Sequence, residues 1–387
     1  MECVNPCWPS LLCGVLYRRT RCRNQIVSKT NNIMNSTNLP VPHKNNFDLL
    51  RLVFASMVVF FHIGILSQSP VLSWTMNISA TFAVQAFFVV SGYLVTMSCE
   101  KSRSLLEYGK KRLFRIAPAY VFVVVGAAII LSTMSSLSAV DYFSNVGFWR
   151  YIGMNLALAN FSAPSLPGVF VHQYESAVNV SLWTIKIEVL FYACAPVIVW
   201  ASRRIGYRPV LGMLFVLSSA WMSGFSFFGE HAGNDFYLRL AKQLPGQLAY
   251  FVGGAWCYYA TRDGARLPTY AAVLALVFYA STNGWLFRLG APLAVAAIVS
   301  WAALTLPRLG DVGKHGDFSF GIYLFHVPIV QTAIALGYFS SNPVATMLGT
   351  IMVVFSAAVF SWNFIEKPFL KHRTSAITKQ QVINCTP

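Results

Sequence analysis

The sequence predicts an all-α, polytopic integral membrane protein with about ten transmembrane helices and both termini in the cytoplasm. Three observations carry this expectation. Hydrophobic residues make up 56% of the 387 residues, charged residues only 11%, and mean hydropathy is +0.55. A typical soluble domain carries roughly 25% charge, so this chain has too few charges to cover a water-exposed surface. Ten apolar stretches come close to the ~17–25 residues a helix needs to cross ~30 Å of hydrocarbon. The basic residues are also distributed unevenly between alternate connections. A soluble globular fold, a disordered chain and a fibre are thereby excluded. No segment alternates with period two for ten residues, which argues against a membrane β-barrel.

The apolar stretches are 47–67, 75–97, 116–136, 182–201, 209–228, 241–260, 268–286, 289–306, 317–338 and 344–365. With the N-terminus inside, the inner segments are 1–46, 98–115, 202–208, 261–267, 307–316 and 366–387. These carry 23 of the 29 Lys and Arg residues, whereas the outer segments carry Arg150, Arg239, Lys242 and Arg288. Such an excess on one side sets orientation. It also accounts for the net charge of +16 with the lipid bilayer as partner and no nucleic acid.

Residues 1–46 read as a polar, basic extension, 47–366 as a ten-helix membrane domain and 367–387 as a cytoplasmic tail. Cys3, Cys7, Cys13 and Cys22 lie in the extension, but no CxxC and no Cys/His cluster has zinc spacing. No metal and no structural disulfide are expected. MNSTNLPVPHKNNFDLLR, from Met34, has the character of a natural start. Residues 1–33 therefore read as an over-long start or a disordered extension rather than a regulatory tail. SCEKSRSLLEYGKKRLFR, residues 98–115, reads as a compact basic loop. Residues 137–181 form the long external loop, with an interfacial helix expected over 141–158 and an irregular FSAPSLPGVF stretch after it.

Ionisable groups within hydrocarbon cost at least ~2.5 kcal/mol each on insertion scales, so each one in an apolar segment is weighed. Arg51 and His62 are eleven residues apart, three helical turns plus about 20°, and lie on one face with a rise of ~16 Å between them. Asp48 precedes Arg51 by three residues, close enough to pair with it. A neutral histidine at His62 can exchange a proton or attack an acyl group, or it can serve only helix packing. Glu188 is about seven residues into the fourth helix, ~10 Å deep, at the depth of His62. A His–Glu pair would orient the imidazole and support its cation; the other reading is a helix–helix hydrogen bond. Lys186 is about 200° away from Glu188 and is expected to snorkel outward. His326 is again mid-membrane, with Tyr323 on its side of the helix, and reads either as a second site histidine or as packing. Pro328 frees a backbone carbonyl in that helix. Arg112 and Arg115 share a helical face and suit phosphate groups, though they also suit plain membrane anchoring.

In order along the chain, these residues resemble membrane-bound acyltransferase family 3, O-acyltransferases that modify bacterial surface glycans and related molecules. Asp48, Arg51 and His62 resemble its Arg–x10–His signature, and FFVVSGY at 87–93 its FFxxSG(F/Y) stretch. KRLFRIAPAY at 111–120, ending in Tyr120, resembles its RxxR…PxY stretch. SLWTIKIEVLFY at 181–192, with Trp183 and Glu188, resembles its LWxxxxE…FY stretch. SFGIYLFHVP at 319–328, with Tyr323 and His326, resembles its last motif. Each motif alone is weak, whereas five in order over about residues 45–370 are specific. The 1–33 extension has no place in that pattern.

The resemblance implies a stand-alone enzyme in the bacterial inner (plasma) membrane, with no permanently bound cofactor. It would transfer an acyl group, an acetyl above all, from cytoplasmic acyl-CoA to a hydroxyl of a glycan or lipid-linked saccharide. Arg112 and Arg115 would hold the CoA phosphates. His62 would act as general base or transient acyl carrier, with Glu188 and Arg51 as catalytic partners and Asp48, Tyr120, Trp183, Tyr323 and His326 in support. A secondary transporter or a non-catalytic scaffold is the rival reading; a transporter would show inverted repeats, and none is visible. From the charge asymmetry, a single-cysteine variant at position 165 is expected to react with an impermeant maleimide from outside intact cells. Labelling only after permeabilisation would reverse the orientation.

Overall fold

The computed structural model describes residues 45–370 apart from positions 311 and 315. The readings made for residues 1–33, for the Met34 start and for the tail after 370 lie outside the described residues. The architecture among the described residues is all-helical, without a strand. The long helices are α1 (Phe47–Ser67), α2 (Ala80–Lys101) and α3 (Leu105–Ile130). After the long connection 137–181, with its short α4 (Ala139–Ser144) and α5 (Val146–Leu156), come α6 (Leu182–Ile205) and α7 (Tyr207–Ala232). A short α8 (Asp235–Ala241) leads into α9 (Leu244–Arg262), α10 (Thr269–Ser281), α11 (Gly284–Leu304) and α12 (Ser319–Ala335). The chain closes with a short α13 (Tyr338–Ser341) and α14 (Pro343–Phe360), which runs on into a π-helical turn, Ser361–Glu366.

Every apolar stretch read from the sequence coincides with a helix. Seven helical spans among the described residues are long and apolar enough to cross a membrane, while α10 and α12 are shorter apolar helices of 13 and 17 residues. The chain is thus a multi-pass membrane protein. Two local expectations are corrected. Residues 98–115 are not a loop: α2 runs to Lys101 and α3 starts at Leu105. The cause is a capping arrangement in RSLLE, akin to a capping box but reaching back one residue further. Ser104 Oγ accepts from the Glu107 amide (3.1 Å) and the Glu107 carboxylate accepts from the Arg103 amide (3.0 Å). Likewise 141–158 is not one helix, because Asn145 breaks it and caps α5 by accepting from the Gly147 amide at 2.8 Å.

Small residues and prolines shape the bundle. α2 and α9 pack closely because each offers a glycine where the other's backbone arrives. A Cβ on Gly92 would overlap the Phe251 carbonyl, and one on Gly254 the Val89 carbonyl. Pro196 in α6 leaves the Tyr192 carbonyl without its helical donor, and Tyr108 of α3 donates its hydroxyl to that oxygen at 2.9 Å. Pro328 in α12 does the same to the Leu324 carbonyl, and Asn179 donates to it at 2.9 Å. In hydrocarbon an unsatisfied carbonyl costs several kcal/mol, so both contacts tie a proline-containing helix to a neighbouring segment. Asn46 plays a related part. Its amide donates to the Ala302 and Pro307 carbonyls (3.2 and 3.1 Å) and its oxygen accepts from the Leu309 amide (3.0 Å). The last turn of α11 is thereby tied to the start of α1, and Pro307 and Leu309 just after it are held against Asn46.

The glycine contact yields a paired expectation. Gly254→Val should force α2 and α9 apart and lower the Tm in detergent, by about 1–3 kcal/mol of stability. Gly212→Val, at a position with open space around the Cβ, should leave the Tm unchanged. Equal Tm values for the two variants would refute the close-packing account.

Candidate active site

A cavity of about 460 Å³ lies among α1, α2, α3, α6 and α12. Its walls draw on α2 from Val84 to Lys101, and seventeen residues of helix rise ~25 Å, so the cavity is long. Lys101, Lys111 and Arg112 line it at the end read as cytoplasmic. Phe87, Phe88, Leu94, Ile116 and Ile185 line its apolar walls, and Thr184 and Tyr323 also contribute to the lining. A cationic mouth on an apolar tube suits a ligand with an anionic head and an uncharged arm.

The arginines differ in their partners. Arg115 is paired with Asp317 and with Glu366 (3.3 Å), and its guanidinium lies 5.4 Å from the centre of the Phe320 ring. Asp317 is also paired with Arg51 and accepts from Ser319 Oγ at 2.6 Å. Glu366 is only 2% exposed; the π turn brings Ser361 Oγ to its other oxygen at 3.0 Å. Arg51, Arg115, Asp317 and Glu366 therefore form one neutral cluster that ties α1, α3, the start of α12 and the end of α14 together. Arg112 has no ion pair among the described residues. It donates to Ser98 Oγ (3.1 Å), lies 5.4 Å from the centre of the Tyr192 ring, and its Nε has no partner. Lys111 is bridged to Glu107 at 2.6 Å across one helical turn.

Two pairings expected from the sequence are corrected. Asp48 does not pair with Arg51: no ion pair joins them among the described residues, and Arg51 turns to Asp317. Asp48 is instead approached by Gly313, where a Cβ would overlap its carboxylate. Glu188 does not bond His62 either. It accepts from the Tyr192 hydroxyl (2.6 Å) and from Ser91 Oγ (3.3 Å), and it lines the cavity beside Arg51. Equal depth on two helices does not make them neighbours: α1 packs on α2 and α12, while α6 packs on α2.

His62 meets His326 instead. His62 Nδ1 is 3.0 Å from His326 Nε2 and 3.0 Å from the Val58 carbonyl, and His326 Nδ1 donates to the Tyr323 carbonyl at 2.8 Å. His326 is fully buried, whereas His62 is partly exposed. Neither histidine lines the cavity. Tyr323 is shared by both places: its ring lines the cavity, its hydroxyl bonds Thr184 Oγ1 at 2.6 Å, and its ring centre is 5.8 Å from that of His326. The remaining residues singled out in the sequence stand apart. Tyr120 is buried and donates to the Asn155 carbonyl at 2.7 Å, joining α3 to α5. Trp183 is 38% exposed and does not line the cavity. Lys186 reaches away from Glu188 to Gln243 (3.2 Å) and over the Phe161 ring. Sequence reasoning missed Asp317, Glu366, Ser91, Ser98, Thr184 and Tyr192. A signal existed for the first two, because a chain with 13 acidic residues places Asp317 directly before the last motif and Glu366 directly after the last apolar stretch.

Residues 44–364 match the family model described as Acyltransferase domain, Acyl_transf_3. The chain belongs to this family and is a membrane-bound O-acyltransferase. Among curated relatives it is 27% identical over 377 residues to "Nodulation protein 10" of Rhizobium leguminosarum bv. viciae, covering 87% of this chain and 96% of that one. It is 27% identical over 336 residues to the "O-acetyl transferase" of Shigella phage Sf6, covering 85% and 97%. It is 26% identical over 332 residues to "O-acetyltransferase OatA" of Staphylococcus aureus, covering 73% of this chain and 51% of that protein. No solved structure matches.

The shared carboxylate generates a test. Asp317→Asn should destabilise the protein by about 1–3 kcal/mol, the size of a lost charge-assisted contact, whereas Asp48→Asn should have a smaller effect. Detergent Tm measurements that rank the two the other way round would return Asp48 to the role of the Arg51 partner.

Proposed function

We propose that the protein transfers an acetyl group from cytoplasmic acetyl-CoA, held in the cavity, to a hydroxyl of a cell-surface glycan or lipid-linked saccharide at the bacterial inner membrane. The observation that carries this reading is the shape and charge of the cavity: a cationic mouth, ~25 Å of mainly apolar wall along α2, and Tyr323, which also touches the histidine pair. Arg112, with Lys101 and Lys111, meets the CoA phosphates. Arg115 lines the same mouth but is shared between two carboxylates, so its part is to hold Arg112's helix and the Arg51–Asp317 pair in position. The uncharged pantetheine arm lies along the apolar walls and carries the thioester inward. His62 takes the proton of the acceptor hydroxyl as that oxygen attacks the thioester carbonyl. The C–S bond breaks, and the sulfur leaves with the proton from His62. Glu188, fixed by Tyr192 and Ser91, supplies the carboxylate that lines the cavity beside Arg51. The relatives' names, O-acetyltransferases of a phage and of a staphylococcus, favour acetyl as the group and oxygen as the receiver.

Two variants separate binding from chemistry. Arg112→Ala should weaken acetyl-CoA binding about tenfold or more, as expected for one charge-assisted phosphate contact, while the protein keeps its fold. His62→Gln should retain donor binding and lose transfer by roughly 10²–10⁴-fold, the usual contribution of a general base. Calorimetric titration with acetyl-CoA and a transfer assay on purified protein read both. Full turnover in His62→Gln would remove His62 from the chemistry, and unchanged affinity in Arg112→Ala would make that residue a membrane anchor.

A further inference from the structure

The proton arrangement of the histidine pair follows from what its neighbours can accept. Carbonyl oxygens only accept hydrogen bonds. His326 Nδ1, at 2.8 Å from the Tyr323 carbonyl, therefore carries a proton, and neutral His326 presents an unprotonated Nε2. His62 Nδ1 faces that nitrogen and the Val58 carbonyl, both at 3.0 Å. Both are acceptors, so His62 also carries its proton on Nδ1. Its lone pair is then on Nε2, the nitrogen with no protein partner among the described residues. Asn179 braces the same turn of α12 at the Leu324 carbonyl, which Pro328 leaves free, so the carbonyl that orients His326 sits on a backbone held from outside the helix.

We propose that His326 is a positioning residue that holds His62 in the Nδ1–H form and accepts from the His62 cation during transfer, in the place a carboxylate takes in a catalytic triad. This rests on the reading of His62 as the base. When the acceptor hydroxyl gives its proton to His62 Nε2, the positive charge spreads to Nδ1–H, and the bond to His326 Nε2 strengthens. As the thiolate leaves it takes the proton back from Nε2, and the pair returns to its starting form with no net proton change. A neutral acceptor suits this depth, since a carboxylate beside His62 would itself have to be kept charged within the membrane. The one carboxylate placed at that depth by the sequence, Glu188, is bonded to Tyr192 and Ser91 instead.

The test uses the purified full-length protein with acetyl-CoA and an acceptor analogue. His326→Leu removes the acceptor and should lower kcat about tenfold to a hundredfold, the size expected for one hydrogen bond to a charged group, with the KM for acetyl-CoA unchanged. His326→Gln, whose side-chain oxygen can accept from Nδ1–H, should recover most of kcat. Histidine nitrogen NMR on the wild-type protein, assigned with His62→Gln, should show both residues protonated at Nδ1, and it decides the matter even where the variants fail to fold. A wild-type His62 protonated at Nε2, a Leu variant with normal kcat, or a folded Gln variant no better than Leu would overturn the assignment. An active His62→Gln protein would instead overturn the base reading itself.

Discussion

Two guanidiniums share one carboxylate at the end of the bundle where α3 begins, and most of the site depends on that arrangement. Arg51 reaches Asp317 from α1 and Arg115 reaches it from α3, while Glu366 at the end of the last long helix takes up the remaining charge of Arg115. Four separate parts of the chain are joined by it. The cluster is neutral as a whole, which limits the cost of holding four charges away from bulk water. Its consequence for the cavity is direct. With Arg51 and Arg115 neutralised and Lys111 bridged to Glu107, the cationic character of the mouth falls mainly to Arg112 and Lys101, and Arg112 sits on the same helix as the arginine that is tied down.

A second constraint is the backbone. In a bilayer every peptide group must find a partner within the protein, and this chain places prolines inside α6 and α12, next to the site. The freed carbonyls are met by Tyr108 and Asn179. Both prolines therefore lie where another helix or the 137–181 segment reaches in, and both lie beside candidate site residues. Tyr192 has its carbonyl held by Tyr108 while its ring faces Arg112 and its hydroxyl bonds Glu188. His326 lies on the turn that Asn179 holds. The same contacts that satisfy the membrane's demand on the backbone thus fix the angles at which the site residues are presented.

Much of the candidate site was legible in the sequence as residue types. Arg51, Arg112, Arg115, Glu188 and Tyr323 were singled out from depth, charge and motif order, and all five line one cavity. Partnerships were not legible. Asp48 and Arg51 are three residues apart and within reach, yet Asp317, 266 positions further on, makes the ion pair. His62 and Glu188 match in depth, yet depth says nothing about which helices are neighbours, and α12 stands where α6 was expected. Trp183 belongs to a motif, yet it is partly exposed and does not line the cavity. The SLLE capping signal was legible and would have shortened the basic loop to three residues.

The sequence by itself determined what depends on composition and on periodicity within one segment. This covers the all-helical membrane class, the positions of the apolar helices, and the family, which five motifs in order carry. It also determined that Arg51 and His62 share a face, because 3.6 residues per turn is a property of a single helix. Only the tertiary structure decided which charges cancel, which arginine stays without a carboxylate, and that His62 is met by His326, 264 positions away. Those outcomes depend on helix neighbours and on the angle of approach between them. Glycines that allow close contact and prolines that free a carbonyl set these locally, but their effect is defined only once the partner helix has arrived.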